Sequence, residues 1–430
     1  MILLAWSDKL PSGWEAKPLR SIADYVVSNV DKVPSEDEVA VRLCNYTDVY
    51  NNEFITLRLG FMQATASAEE ISKFGLSVGD VIITKDSESW DDIGVPSLVR
   101  ETASDLVCGY HLALLRPLAE KMEGAFLLRC IQAKPIRVQL ELAANGVTRF
   151  GIPKSEIGTL TLPVPPVLQQ RAIADFLDRE TAQVDALVGA KERVLGLLAE
   201  KRRAFITRAV THGIDPRAPL RNSGIPWLGE IPGHWQLERA KYIFRQSALP
   251  VRHEDEMVTC FRDGQVTLRR NRRAEGFTNA NLELGYQGIR AGQLVLHSMD
   301  AFAGAIGVSD SQGKCSPEYI ICDPLQPDTD THYYGLLLRT MALSGFIQAS
   351  CAAVRERAPR IRFPDFGEMF LPMPPRREQL EIVDRIRGEL DRLERLRAAN
   401  GRTIALLKER RAALIAAAVT GQIAVPDAIA

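Results

Sequence analysis

Two stretches of the chain carry a long stripe of apolar positions at alternating steps of four and three. The first runs Ile173, Leu177, Glu180, Val184, Leu187, Lys191, Val194, Leu198, Lys201, Phe205. The second runs Ile382, Ile386, Glu389, Leu393, Leu396, Asn400, Thr403, Leu407, Arg410, Leu414. Each stretch opens just after a double proline, Pro165-Pro166 and Pro374-Pro375, which stops a strand and presets a first helical turn. Each closes on a glycine, in Thr211-His212-Gly213 and Thr420-Gly421. The pattern predicts two helices of about 45 residues, each about 65 Å long at 1.5 Å per residue. That length exceeds an ordinary core helix, and the seam spacing is that of a coiled coil. Val184, Leu187, Val194 and Leu198 are the expected pairing residues of the first helix; Leu393, Leu396, Leu407 and Leu414 are those of the second.

Both seams are interrupted at the same three places, first by Glu, then by Lys or Asn, then by Lys or Arg. A parallel pair would set Glu180 against Glu389 and Lys201 against Arg410, and like charges repel. An antiparallel pair crossing near Lys191 and Asn400 would bring Glu180 to Arg410 and Glu389 to Lys201. Antiparallel pairing is therefore expected.

Outside the stripes the period falls to two. Short β-type runs (DVIIT, GTLTLPV, QLVLHS, EYIICDP) alternate with Gly, Asp and Pro turns, and ETASDLV reads as helical. The fold class expected is α+β, with two globular modules, each followed by a long helix. The expected boundaries are 1–162, 163–214, 215–371 and 372–430.

The two halves are related. LPVPPVLQQRAIADFLD at Leu162 and LPMPPRREQLEIVDRIR at Leu371 lie 209 residues apart, and the match holds without a gap to Thr211 and Thr420. Roughly four positions in ten are identical over this stretch. The similarity continues more weakly into the modules. PSGWEAKPLRSIA resembles IPGHWQLERAKYIF, and VGDVIITKDSESWDDIGV lies on AGQLVLHSMDAFAGAIGV. A period of half the chain marks a duplication rather than a solenoid. The modules share a frame and differ in their insertions, which is where specificity usually resides.

At 430 residues and net charge −1, neither size nor charge singles out nucleic acid or membrane as a partner. The apolar start MILLAW is too short for a signal peptide, and no run of 18 apolar residues follows. The seven cysteines form no CxxC pair and read as reduced thiols of a cytoplasmic protein. There is no phosphate loop, no GxGxxG, no HExxH and no Asn-Pro-Pro-aromatic signature of DNA amino-methyltransferases. Acidic pairs such as Asp91-Asp92 and Asp328/Asp330 read as solvated turns. No cofactor, metal or catalytic residue is expected.

A module, a long helix opened by PPxxxQ, a second module and a second such helix together resemble the specificity subunit of type I restriction-modification enzymes. The likeness covers essentially the whole chain. It implies two target-recognition domains, each reading one half of a split duplex DNA site. It also implies that the helices act as an antiparallel spacer that docks methyltransferase subunits, two in number, and through them restriction subunits, with no catalysis by this chain. Two departures are mild: Gln169-Gln170 stands where the second helix has Glu378-Gln379, and Asp80 stands where the second module has Gln293.

Within such a reader the arginine-rich CFRDGQVTLRRNRRAEGFTN and VRERAPRIRF become candidate DNA contacts, since arginine forks suit phosphates and guanine edges. The second-module candidates are Arg262, Arg269, Arg270, Arg272, Arg273, His297, Ser298, Arg355, Arg357 and Arg360. Those of the first module are Asn45, Tyr46, Lys85, Asp86, Ser87 and Arg149, on polar turns beside strands; Trp90 reads equally as core or as a stacking residue. A competing reading is a coiled-coil scaffold whose modules bind peptides.

Overall fold

The computed structural model describes residues 5–272, 284–350 and 360–425. The chain divides into two compact units: residues 1–192 with 401–430, and residues 193–400.

The first unit is built on a five-stranded sheet in the order Ala23–Val27, Leu112–Pro117, Val81–Thr84, Pro96–Val99, Phe54–Ile55. It also holds a three-stranded sheet in the order Met62–Ala66, Val39–Cys44, Leu106–Cys108. DVIIT gives the strand Val81–Thr84, buried at every position, which is why its run is continuously apolar. Helix Gly124–Gln132 packs on the large sheet through Phe126, Leu127 and Ile131. ETASDLV is not helical. Leu106–Cys108 joins the parallel ladder with Arg42–Cys44, and Arg42 forks onto Asp105 at 2.8 and 2.7 Å. Cross-strand pairing overrides the local helix preference there.

The second unit repeats the frame with a four-stranded sheet: Phe244–Gln246, Tyr319–Pro324, Leu294–His297, Ile306–Val308. Helix Thr331–Leu343 covers it through Tyr334, Leu337, Leu338 and Met341. In each unit the strand before the double proline closes the frame onto an early strand. Thr161–Val164 pairs with Glu15–Pro18, and Phe370–Met373 pairs with Gln236–Arg239.

The long helices are α1 (Val167–His212, 46 residues) and α2 (Arg376–Val419, 44 residues). Both end as expected, with Gly213 at φ +71° and Gly421 at φ +70°, a conformation that glycine adopts without strain. Within the first unit α1 and α2 run antiparallel: Asp185 meets Arg411 at 3.0 Å and Glu192 meets Lys408 at 3.6 Å. Within the second unit Lys201 meets Glu389 at 3.1 Å, as expected from the sequence. Among the described residues no ion pair joins Glu180 to Arg410.

That difference has a geometric origin. The buried stripe of α1 runs Ile173, Leu177, Thr181, Val184, Val188, not through Glu180 and Leu187. The stripe of α2 runs Ile382, Ile386, Leu390, Leu393. Each begins with steps of 4-4-3, an eleven-residue spacing of about 3.67 residues per turn that follows a nearly straight helix better than a heptad does. One position in each heptad therefore moves on by one residue. Val184 and Leu393 are buried as expected, and Leu198, Leu407 and Leu414 are half-buried. Leu187, Val194 and Leu396 are exposed instead. Arg411, not Arg410, turns inward, and it pairs with Asp185 and Glu53.

The glutamine of each PPxxxQ is wholly buried and ties its helix to its module. Gln170 accepts from the Glu123 N–H at 2.8 Å and donates to the Lys121 and Pro165 carbonyls at 2.9 and 2.8 Å. Gln379 accepts from the Asp330 N–H at 2.8 Å and donates to the Asp328 and Pro374 carbonyls at 3.2 and 2.8 Å. The residue before each accepts from the tryptophan of the module's GW or GHW motif: Trp14 Nε1 reaches Gln169 at 3.1 Å, and Trp235 Nε1 reaches Glu378 at 3.0 Å. Either side chain supplies the acceptor oxygen, and Glu378 also meets His234 Nε2 at 2.7 Å.

The other departure is compensated. Asp80 takes a two-pronged contact from Arg116 at 2.9 and 2.7 Å, whereas Gln293 donates to Asp323 at 2.8 Å. Val81 faces Leu115 and Leu294 faces Cys322, so Arg116 and Asp323 occupy the same register position. Acid with arginine in one module has become amide with acid in the other.

Candidate nucleic-acid interface

In the first unit Arg149 is exposed, Tyr46, Lys85 and Asp86 are half-buried, Ser87 is buried, and Asn45 caps the helix that carries Tyr46. Asn45 caps helix Tyr46–Asn51, its side chain accepting from the Thr47 N–H at 3.1 Å while Asp48 accepts from the Asn45 N–H. Tyr46, next in line, hydrogen-bonds Ser87 and stacks on Tyr50 at 5.6 Å; burial pushes its hydroxyl pKa up. The short strand Asp86–Ser87 pairs with Phe150–Gly151, so Gly151, at the end of the loop that carries Arg149, lies opposite Asp86. Asp86 receives Lys85 Nζ at 2.7 Å on one oxygen and His111 Nδ1 at 2.5 Å on the other. The His111 Nε2 faces the Arg149 guanidinium at 3.2 Å.

Sequence reasoning missed His111. It lies 25 residues from Asp86, and nothing in its spacing marks it. Only the left-handed backbone, φ +70°, sets it apart from the other non-glycine residues described. Tyr50, Tyr110 and Trp90 are large aromatic side chains exposed in the same unit. Trp90 is therefore a surface residue and not core.

In the second unit the expected arginines fall into groups. Arg262 reaches Asp300 at 2.9 Å, Arg270 reaches Glu256 at 2.7 Å, and Arg272 reaches Asp263 at 2.7 Å while lying over the Phe261 ring at 4.3 Å. Arg269 donates to the Thr259 hydroxyl at 3.2 Å. His297 is half-buried, its Nδ1 accepting from the Asp300 N–H at 3.2 Å, edge-on to Tyr319 at 4.7 Å. Burial holds its pKa below the usual histidine value. Ser298 and Arg360 line a cavity of about 370 Å³ with Glu318, Tyr319 and Arg362, and Arg360 meets Glu318 at 3.5 Å. Arg273, Arg355 and Arg357 lie outside the described residues.

Exposed ion pairs of this kind are worth at most about 1 kcal/mol, so these guanidiniums are readily exchanged onto another anion. Among the described residues no three His, Cys, Asp or Glu side chains gather as a metal-ligand set. Burial pushes the six described thiols up, that of Cys315 to about 12, so they are neutral. No described helix is long and apolar enough to cross a membrane.

No protein-family model matches the chain. It is 23% identical over 230 residues to the putative type I restriction enzyme MjaX specificity subunit of Methanocaldococcus jannaschii, a match covering 53% of this chain and 52% of that protein. The match thus spans about half the length of that relative. It is 21% identical over 414 residues to the type I restriction enzyme EcoKI specificity subunit of Escherichia coli, covering 88% of this chain and 82% of that protein. In fold it matches a chain from a structure devoted to complex assembly and conformational transition of the type I R-M system, with a TM-score of 0.64 at 17% identity over 96% of this chain and 99% of that one. It matches the HsdS subunit from Thermoanaerobacter tengcongensis with a TM-score of 0.54 at 16% identity over 96% and 98%. In sequence and in fold, this chain is similar to the specificity subunits of type I restriction enzymes.

Proposed function

We propose that the chain is the DNA sequence-specificity subunit of a cytoplasmic type I restriction-modification complex. Its modules, 1–162 and 215–371, each read one half of a bipartite, asymmetric duplex site. The segments 163–214 and 372–430 form an antiparallel spacer between them. The chain itself carries no catalysis and docks methyltransferase subunits, and through them restriction subunits.

The observation that carries this reading is the contrast between inside and outside. The buried staples are duplicated almost atom for atom, at Gln170 and Gln379 and at Trp14 and Trp235. The exposed candidate surfaces are not: one is an aromatic surface around His111 and Arg149, the other a set of arginine–carboxylate pairs. One frame with two different surfaces suits two readers of unlike half-sites. Leu197 (63% exposed) and Leu406 (65% exposed) sit at equivalent places in the repeat, 209 residues apart, and support two equivalent docking positions. The test is co-purification with the methyltransferase subunit, together with titration of duplex DNA at rising salt. Tight, steeply salt-dependent duplex binding supports the reading. Failure to bind duplex DNA, alone or with the methyltransferase, refutes it and leaves the peptide scaffold.

A further inference from the structure

Resting on the DNA-reading function above, we infer that Arg149 is the base-reading residue of the first module, that it reads a guanine edge, and that His111 is its positioning residue. The loop between Asn145 and Gly151 is closed by a reciprocal pair of backbone hydrogen bonds, Asn145 N–H to Gly151 O and Gly151 N–H to Asn145 O, both 2.9 Å. Such closure leaves Val147, Thr148 and Arg149 at an exposed tip, Val147 being 93% exposed.

Arg149 has no acceptor atoms, so the His111 Nε2 that faces it must accept. The imidazole is then neutral, with its proton on Nδ1 and donated to Asp86. Asp86 is in turn neutralised by Lys85. The ring therefore fixes where Arg149 points without cancelling its charge. Four candidate arginines of the second module, Arg262, Arg270, Arg272 and Arg360, rest instead on carboxylates. One N–H of Arg149 is used on the histidine. The four that remain keep a two-pronged fork free, which matches O6 and N7 of guanine in the major groove.

The left-handed backbone of His111 is the cost of this placement. Lys85 N–H binds the His111 carbonyl at 2.9 Å, and the next residue, Leu112, enters the sheet opposite Thr84. From that conformation the ring meets Asp86 and Arg149, and it is one that a non-glycine residue adopts rarely and more often at functional sites.

The experiment selects bound sequences from a randomised duplex library with the full-length chain and its methyltransferase subunit. Wild type, Arg149→Ala, His111→Gly and His111→Gln are compared. Glycine tolerates φ +70°, so His111→Gly removes the ring without straining the fold, and its melting temperature should not fall. We expect wild type to enrich a guanine in one half-site. Arg149→Ala should cut the preference for it by about tenfold or more and leave the other half-site intact. His111→Gly should relax the same position, and His111→Gln, which retains an acceptor, should restore part of the preference. An unchanged motif in Arg149→Ala overturns the inference, as does a flattened salt dependence with no change of motif, which would make Arg149 a phosphate-binding residue. Lack of any enriched motif in wild type instead defeats the DNA-reading function itself.

Discussion

Replacing Gln170 by alanine isolates the joint between the first module and its helix. The side chain is wholly buried and makes three hydrogen bonds, at 2.8, 2.9 and 2.8 Å. A typical intramolecular hydrogen bond contributes about 1 kcal/mol net, and a buried donor left without a partner costs about 1–3 kcal/mol. The Glu123 N–H, at the start of helix Gly124–Gln132, would be left so. Loss of two donors to carbonyls and one acceptor therefore amounts to about 3–5 kcal/mol, a large part of the about 5–15 kcal/mol of a typical domain. Gln379→Ala should cost somewhat less, because its bond to Asp328 is longer, at 3.2 Å. The assay is urea unfolding of the full-length chain, with Trp6 and Trp14 reporting on the first unit and Trp227 and Trp235 on the second. Gln170→Ala should lower the first unit's midpoint and leave the second unit's in place. A loss below about 1 kcal/mol would show that water or relaxation replaces these bonds, and the staple reasoning would fail.

Three further outcomes follow from the geometry. Lys201→Glu should weaken helix pairing by facing Glu389, and Glu389→Lys in the same chain should recover part of the loss; a double variant no better than the sum of the singles contradicts the pairing seen at 3.1 Å. His297 has its pKa lowered by burial, against opposing pulls from Asp300 and Glu318, so the unfolded chain takes up the proton first as pH falls below about 6.5. The second unit should therefore lose stability from about pH 6.5 down to the lowered folded value and show no such effect above that window; His297→Asn should flatten the slope in a urea series across pH, and an unchanged slope removes His297 as its source. Arg270→Ala with Arg272→Ala should flatten the log–log salt dependence of duplex binding by about one unit for each phosphate no longer neutralised; an unchanged slope takes both out of the interface.

Much of the frame is legible in the sequence because punctuation residues act locally. The double prolines and terminal glycines set α1 and α2 almost to the residue, and the repeated Gln and Trp point to a common joint. The seam is legible in direction but not in phase. An eleven-residue opening of 4-4-3 is indistinguishable from heptads until the burial of Thr181 and Val188 is known. ETASDLV misleads because a strand partner distant in sequence, Arg42–Cys44, decides its structure. The placing of Asp86 opposite Gly151, at the end of the loop that carries Arg149, depends on strand pairing between Ser87 and Phe150. The polar-turn pattern finds Asp86 and Arg149 one by one but not the histidine that joins them. The exchange of Asp80 with Arg116 for Gln293 with Asp323 shows why a departure between repeats means little until its partner is known.

The most direct measurement of the central claim is methylation-site mapping in a host that expresses the methyltransferase with a chain whose residues 215–371 are replaced by the corresponding module of another specificity subunit. The expected result is a site in which one half is exchanged, while the other half keeps the wild-type sequence. A site altered in both halves, or altered in neither, would contradict a chain that reads DNA with one module per half-site.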